Sequence, residues 1–247
     1  MNKLQFQDAC EKVIDVQRNS KGIGTLGEKT LHAVLKHYFE PYEDNHEIKV
    51  GGYVADIVGE NGIIEIQTRN FEKLRKKLAA FLEVTTVTVV YPIAQTKWLY
   101  WINQETGETT VKRKSPKIGL PFEIVWELYK IKDLLNHPNI SFCIAMIDVD
   151  EYRNLDGWSK DKKKGSSRFD RIPIDIMQEI YLRCPADYDI LLPPNLPTQF
   201  TTKDLKNLMK VSPRAIQSGM SVLRKVGLIE QVGKQGRLNL YQIIDVS

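Results

Sequence analysis

Asp56, Glu65 and Gln67 are the polar side chains of a stretch otherwise rich in β-branched residues: Val54-Ala-Asp-Ile-Val58, Gly59-Glu-Asn-Gly62, then Ile63-Ile-Glu-Ile-Gln67. β-branched runs on either side of a Gly/Asn loop predict two short strands joined by a tight hairpin. If Val58 pairs with Ile63, antiparallel counting sets Ala55 opposite Ile66, Asp56 opposite Glu65, and Ile57 opposite Ile64. Directly opposed side chains lie roughly 4.5 to 5.5 Å apart, and like charges there are destabilising. Strand alternation puts Glu65 and Gln67 on the Asp56 face, and Ile57, Ile64 and Ile66 on the other, toward a core. A hard divalent cation would resolve the repulsion, because Mg²⁺ typically uses one or two carboxylates together with waters and substrate phosphate. A solvated acidic hairpin face is the plainer alternative.

Asp56, an eight-residue gap, and Glu65-Ile66-Gln67 resemble the metal-binding hairpin of the PD-(D/E)xK, or restriction-endonuclease-like, nuclease superfamily, in a variant with Gln for the usual Lys. Upstream, the segment from Gly22 to Tyr38 is similar to the first helix of that superfamily, with Glu28 as the glutamate near its start. The resemblance implies Mg²⁺ or Mn²⁺ held by Asp56, Glu65, the Ile66 carbonyl and Glu28. It also implies a catalytic set of Glu28, Asp56, Glu65 and Gln67. A metal so placed lowers the pKa of a bound water and stabilises charge around the phosphorus. Gln67 can orient water but carries no positive charge, and Lys36 or Lys73 is the expected substitute cation.

These residues need elements to position them. Apolar spacing predicts helices over Phe6–Gln17 and from about Thr25 to Phe39, the second burying Leu31, Val34, Leu35 and Tyr38. Glu28 then falls in a first turn, where the helix dipole favours an anion. His32 and His37, five residues apart, share no helical face and read as surface residues. Glu47 to Val50 reads as the strand entering the hairpin. After Gln67, a helix from Arg69 to Leu82 buries Phe71, Leu74, Leu78 and Phe81. Its polar side carries Arg69, Lys73, Arg75, Lys76 and Lys77, where Arg69, Lys73 and Lys76 are candidate phosphate contacts. Thr85 to Tyr91, bounded by Pro92, predicts a buried strand reached by a right-handed crossover.

Further along, Lys97–Ile102 and Glu108–Lys112 predict a second hairpin, with Trp98, Tyr100 and Trp101 more simply packed than stacked on bases. Phe122–Leu135 reads as a helix and Ile140–Val149 as a strand. Glu151–Arg171 reads as a basic surface loop, and Ile174–Tyr181 as a short helix. The three prolines between Leu191 and Thr198 mark a linker.

A net charge of +4 conceals an uneven distribution: from Thr201 onward eight Lys/Arg face three Asp/Glu, leaving residues 1–200 slightly acidic. That footprint fits a polyanion partner. Thr201-Thr-Lys-Asp204 opens one helix, and Ser212-Pro213 caps and starts a second running to Lys225. Gly227–Val232 and Leu238–Ile243 then flank the basic turn Gly233-Lys-Gln-Gly-Arg237. This helix-turn-helix with a two-stranded wing resembles a winged-helix domain. The resemblance implies that Arg214, Gln217, Ser218 and Ser221 face a major groove, with Lys234 and Arg237 touching backbone.

The expected architecture is α/β, a restriction-endonuclease-like mixed central sheet flanked by helices, plus a small C-terminal winged helix. The expected division is 1–190 nuclease-like, 191–200 linker, 201–247 winged helix. The expected function is metal-dependent hydrolysis of phosphodiester bonds in DNA; a non-catalytic DNA-binding or regulatory protein is the alternative. Partners expected are DNA and no membrane, with a homodimer left open. No apolar run of about 18 residues and no signal-peptide core stands in the sequence, so the cytoplasm is the expected compartment. Cys10, Cys143 and Cys184 are too scattered for a disulfide framework or a CxxC metal site.

Overall fold

The computed structural model describes residues 1–21, 30–103, 105–156 and 167–244, with the backbone alone for 15–21. Helices α1 (Lys3–Lys21) and α2 (Thr30–Phe39) precede three strands, β1 (His46–Val50), β2 (Tyr53–Gly59) and β3 (Gly62–Ile66). A 3-10 turn, Phe71–Leu74, leads into α3 (Arg75–Leu82), and β4 (Val87–Ile102) follows. Then come β5 (Arg113–Lys114), α4 (Val125–Lys130), β6 (Ile140–Asn154) and β7 (Arg168–Leu182).

The sheet runs β1-β2-β3-β4-β6-β7, with β5 paired to β4. β1, β2 and β3 are antiparallel neighbours; β3 with β4 and β4 with β6 are parallel; β7 returns antiparallel to β6. The fold is therefore mixed α/β, with helices on both faces of one central sheet. Alternation along the strands sorts the core. Ile57, Ile66, Val90, Ala145 and Ile147 pack under α1 and α2 with Phe6, Val34 and Leu35. Ala55, Ile63, Val87 and Val89 face the opposite way, onto Phe71, Leu78, Phe81 and α4.

The hairpin turn depends on Gly62. Its φ is +102°, and a Cβ there would lie 2.4 Å from the Thr86 carbonyl oxygen. Only glycine allows both the left-handed backbone and that close approach. The approach matters because Ile63 N–H donates to the same oxygen at 2.9 Å, locking the hairpin to β4.

Several expectations are corrected. Pro92 does not end β4: the strand continues past it, Pro92 pairing with Ala145, and Lys97–Ile102 are its distal part. The second hairpin is present near its turn, where Thr110 N–H donates to the Trp101 oxygen and Asn103 N–H to the Glu108 oxygen, each at 2.9 Å, about an Ile102↔Thr109 bridge; further along, the partner of Trp98 and Leu99 is Arg113–Lys114. Ile174–Tyr181 is strand, part of β7, because a 15-residue antiparallel partner overrides the local helical reading. Arg168–Arg171 also belong to β7, whereas 157–166 lie outside the described residues. Phe122–Leu135 is broken into 3-10 turns on either side of α4.

The C-terminal elements are β8 (Gln199–Phe200), α5 (Thr202–Met209), α6 (Pro213–Val226), β9 (Ile229–Gln235) and β10 (Leu238–Ile243), with a sheet ordered β8-β10-β9. The caps follow the sequence: Asp204 accepts Thr201 N–H at 2.8 Å, and Ser212 Oγ accepts Ala215 N–H at 3.2 Å. The segment expected as a linker, 191–200, is buried at its ends and exposed at Pro194, Asn195 and 197–199. Leu191 and Leu192 are buried, and Phe200 pairs with Tyr241. Leu205, Ile216, Met220 and Leu223 share one core with Phe122 and Leu128. Among the described residues no helix is long and apolar enough to cross a membrane.

Candidate functional site

The β2–β3 ladder closes at Ile57↔Ile64 and is then replaced by side chains. Asp56 N–H donates to Glu65 Oε1 at 3.0 Å, and Ile66 N–H donates to Asp56 Oδ2 at 2.8 Å. The strands part here because β3 is engaged on its other edge, with Glu65↔Val89 and Ile66↔Val90 paired parallel to β4. Two strand amides that lose their ladder partners are thus satisfied by two carboxylates, as buried backbone donors must be. The expected opposition of Asp56 and Glu65 becomes a reciprocal lock.

Two further side chains reach the pair from the flanking helices. Lys77 of α3 places its Nζ 2.6 Å from Glu65 Oε2, and its ammonium also lies 5.5 Å from the Phe81 ring centre. From α2, His32 Nε2 lies 3.2 Å from Asp56 Oδ2. His32 is therefore a site residue and not a plain surface one. Lys36, an expected substitute cation, instead pairs with Glu47 at 2.7 Å, and Lys73 is exposed. The cation at the hairpin is Lys77. A sequence signal for it exists: Lys77 lies three residues after Leu74 and four before Phe81, at the border of the apolar stripe.

The two carboxyls are pushed in opposite directions. Burial raises the Glu65 carboxyl, and the Asp56 charge raises it further against the pull of Lys77. Burial also works upward on Asp56, but His32, the Ile66 amide and Lys77 outweigh it and hold Asp56 below its ordinary range. Titratable neighbours driven apart in this way are a common feature of functional sites.

Gln67 continues the pairing to β4 through its N–H, 2.9 Å from the Val90 oxygen. Its side-chain amide donates to the Arg69 carbonyl, closing the turn that follows β3. Glu28 lies outside the described residues. Among the described residues, no group of three or more His, Cys, Asp or Glu side chains is arranged to hold a metal ion. The donor set that is present, two carboxylates from adjacent strands, is all oxygen and suits a hard cation completed by waters and phosphate. Such an ion competes with Lys77 and His32 for the same oxygens.

In the C-terminal module, Arg214 and Gln217 are exposed on α6 and Ser221 is half-buried, accepting from Lys132 Nζ at 3.2 Å. Ser218 is buried, 7% exposed, and so does not face outward as expected. Next to it, Gly219 packs on Phe122, where a Cβ would come within 2.5 Å of the ring. The Arg214 guanidinium lies 5.7 Å from the Trp126 ring centre. Arg224 and Lys225 complete the exposed stripe; extending the 3.6-residue period from Arg214, Gln217 and Ser221 would have found them. Lys234 and Arg237 are exposed on the β9–β10 hairpin, about the turn at Gly236. Arg69 and Lys76 are exposed beside the hairpin.

Residues 29–183, α2's approach through β7, match the family described as "Domain of unknown function (DUF8091)". A protein from Treponema pallidum (strain Nichols), described as "Uncharacterized protein", is 30% identical over 235 residues, covering 89% of this chain and 87% of that one. No solved structure matches. With more than half of its length matched, including the whole Asp56–Glu65 hairpin, the chain belongs to the DUF8091 family.

Proposed function

We propose that the chain is a metal-dependent nuclease acting on DNA, with a restriction-endonuclease-like core and a C-terminal winged-helix module that contacts nucleic acid. The observation that carries this reading is the Asp56–Glu65 lock with Lys77 2.6 Å from Glu65. Two carboxylates and one ammonium converge where β2 and β3 part inside the central sheet, with basic side chains on the helix that follows. Asp56 and Glu65 would hold Mg²⁺ or Mn²⁺, which when bound lowers the pKa of a water and offsets charge on the phosphoryl oxygens. Lys77 supplies, from α3, the positive charge that Gln67 lacks. Asp56, held ionised, is the stronger cation ligand, and Glu65 must be deprotonated before it can join. Gln67 fixes the turn that presents Arg69. The exposed α6 stripe of Arg214, Gln217, Arg224 and Lys225, with Lys234 and Arg237, supplies phosphate contacts.

A second reading, a non-catalytic nucleic-acid-binding protein, draws on a specific observation: each carboxylate already accepts from a backbone amide, and each also meets a side-chain nitrogen, Lys77 Nζ at Glu65 and His32 Nε2 at Asp56. Calorimetry with Mn²⁺ separates the two. Wild-type binding that disappears in Asp56→Ala, together with Mn²⁺-dependent cleavage of duplex or single-stranded DNA, supports the nuclease. Wild type that takes up no ion, even with DNA present, leaves the binding protein.

A further inference from the structure

Helix α6 is held along one flank by the elements around α4. Gly219 allows the close approach: a Cβ there would come within 2.5 Å of the Phe122 ring, in the 3-10 turn before α4. On one side of that contact the Arg214 guanidinium lies 5.7 Å from the Trp126 ring centre. On the other, Lys132, from the 3-10 turn after α4, donates to Ser221 Oγ at 3.2 Å.

Beside this clamp a cavity of about 450 Å³ opens between α6, the start of α5 and β10. Its floor is apolar, formed by Met220 and Tyr241, both otherwise buried. Thr202, Gln217 and Ser221 bring hydroxyl and amide groups to it, while Lys132, Arg224 and Lys225 bring three positive charges. Among the described residues no acid lines it. The charge also stands uncancelled from nearby: among the described residues, Arg224 and Lys225 are exposed and form no ion pair. Lys132 meets a neutral hydroxyl and, 5.5 Å away, the Tyr129 ring, which leaves ammonium N–H groups for a ligand. The acid next to it in sequence, Asp133, is taken by Arg75 at 2.8 Å.

We propose that this cavity binds a nucleoside phosphate, with the phosphate on Lys132, Arg224 and Lys225 and the base over Met220 and Tyr241, its edge toward Thr202 and Gln217. The volume falls within the range of small-molecule sites, about 300–1,000 Å³, and a bare anion would leave the apolar floor unused. Such a unit comes as a free nucleotide or as an unpaired nucleotide of a strand. The clamp decides against a paired one: a helix about 10–12 Å across already fills a major groove about 12 Å wide, and α6 carries the α4 elements on its flank. The inference rests on the nucleic-acid reading above for its choice of a nucleotide over other amphiphilic anions.

The test is calorimetry in EDTA, where cleavage plays no part, with the full chain and five probes: dAMP, deoxyadenosine, inorganic phosphate, a short single-stranded oligo(dA), and its duplex with oligo(dT). Wild type is expected to bind dAMP or the single strand about ten-fold more tightly than deoxyadenosine or phosphate. Lys132→Gln and Arg224→Gln, the second fully on the surface and without risk to folding, should each weaken that binding by about ten-fold, the worth of one charge-assisted hydrogen bond. A single strand about ten-fold tighter than dAMP identifies the ligand as part of a strand, and equal affinities identify a free nucleotide; either upholds the site. Phosphate or deoxyadenosine binding as tightly as dAMP, or affinities unchanged in both variants, overturns the proposal. A duplex that loses as much affinity as the single strand on Lys132→Gln overturns the assignment to an unpaired nucleotide. Failure of the nuclease reading shows separately, as absence of Mn²⁺ uptake beside intact nucleotide binding, whereas failure of this site leaves Mn²⁺ uptake and cleavage in place.

Discussion

Asp56 and Glu65 are joined by the backbone: the amide of Asp56 donates to Glu65 Oε1 at 3.0 Å, and Asp56 Oδ2 accepts the amide of Ile66 at 2.8 Å. Repulsion between opposed carboxylates predicts that removing one of them stabilises the metal-free protein. The reciprocal bonds reverse that sign. Asp56→Ala leaves the Ile66 N–H without its acceptor inside the sheet, at a cost of about 1–3 kcal/mol. Asp56→Asn keeps an acceptor oxygen and should cost less. Urea denaturation in EDTA measures both, and a rise in stability on Asp56→Ala would restore repulsion as the dominant effect.

Lys77→Met removes the ammonium from a carboxylate that is 1% exposed. Breaking a buried pair by deleting one partner costs about 3 kcal/mol, less whatever Glu65 recovers by taking up a proton. Glu65 already holds its proton to higher pH in the folded chain than in the unfolded one. The folded state therefore binds more protons above the ordinary carboxylate range, and stability falls as pH rises through that window. The variant should show a steeper fall, and Lys77→Met with Glu65→Gln should remove it. Denaturation midpoints from pH 4 to 8 check this; identical slopes in wild type and Lys77→Met would show that the ammonium does not govern Glu65.

Glu151 behaves in the opposite sense. Burial works upward, but Arg171 and Arg153 hold its carboxyl at about 2, against 4.5 for an ordinary glutamate. Its stabilisation is complete above the ordinary value and is lost as pH falls toward about 2. The shift is worth on the order of 3 kcal/mol. Glu151→Gln should flatten acid unfolding between those limits while lowering stability at neutral pH, since two guanidinium groups lose their anion. Acid titration followed by circular dichroism reads both effects; an unchanged acid transition would remove Glu151 as its cause.

How much of this was legible in the sequence varies with how local each signal is. The β2–β3 register followed from β-branched residues around Gly59–Gly62, and Val58↔Ile63 and Ile57↔Ile64 are paired as counted. The α6 start was legible too, because Ser212 and Pro213 act within one turn. Lys77 was legible only as a basic residue at the border of the α3 apolar stripe, and His32 was not legible, since each contact spans helix to sheet. β7 was misread for the same reason: Ile172, Ile174 and Ile176 alternate, but the 15-residue pairing with β6 is set by a partner that local periodicity cannot see. Between Leu191 and Phe200 the prolines stand in irregular backbone, with Pro194 and Pro197 exposed, while Leu191, Leu192 and Phe200 are buried, which composition alone does not reveal.

The last prediction concerns which face of α6 would meet nucleic acid under the proposed function. Ser218 is buried and Gly219 is turned against Phe122, while Arg224 and Lys225 stand on the exposed stripe with Gln217. A buried hydroxyl cannot touch a phosphate or a base without moving the helix, whereas an exposed cation releases one counterion for each phosphate it neutralises. Arg224→Gln and Lys225→Gln should therefore each weaken DNA binding and lower the slope of log affinity against log salt by about one. Ser218→Ala should leave both unchanged. Gly219→Ala separates packing from contact, because its Cβ would meet the Phe122 ring at 2.5 Å and destabilise the core by about 1–3 kcal/mol, with DNA affinity altered only through that displacement. Salt-dependent anisotropy on the four variants reads the result. Unchanged salt slopes for Arg224→Gln and Lys225→Gln would move the contact surface off α6, to the exposed cations of α5 and its C-cap, Lys203, Lys206 and Lys210, or of the β9–β10 hairpin, Lys234 and Arg237.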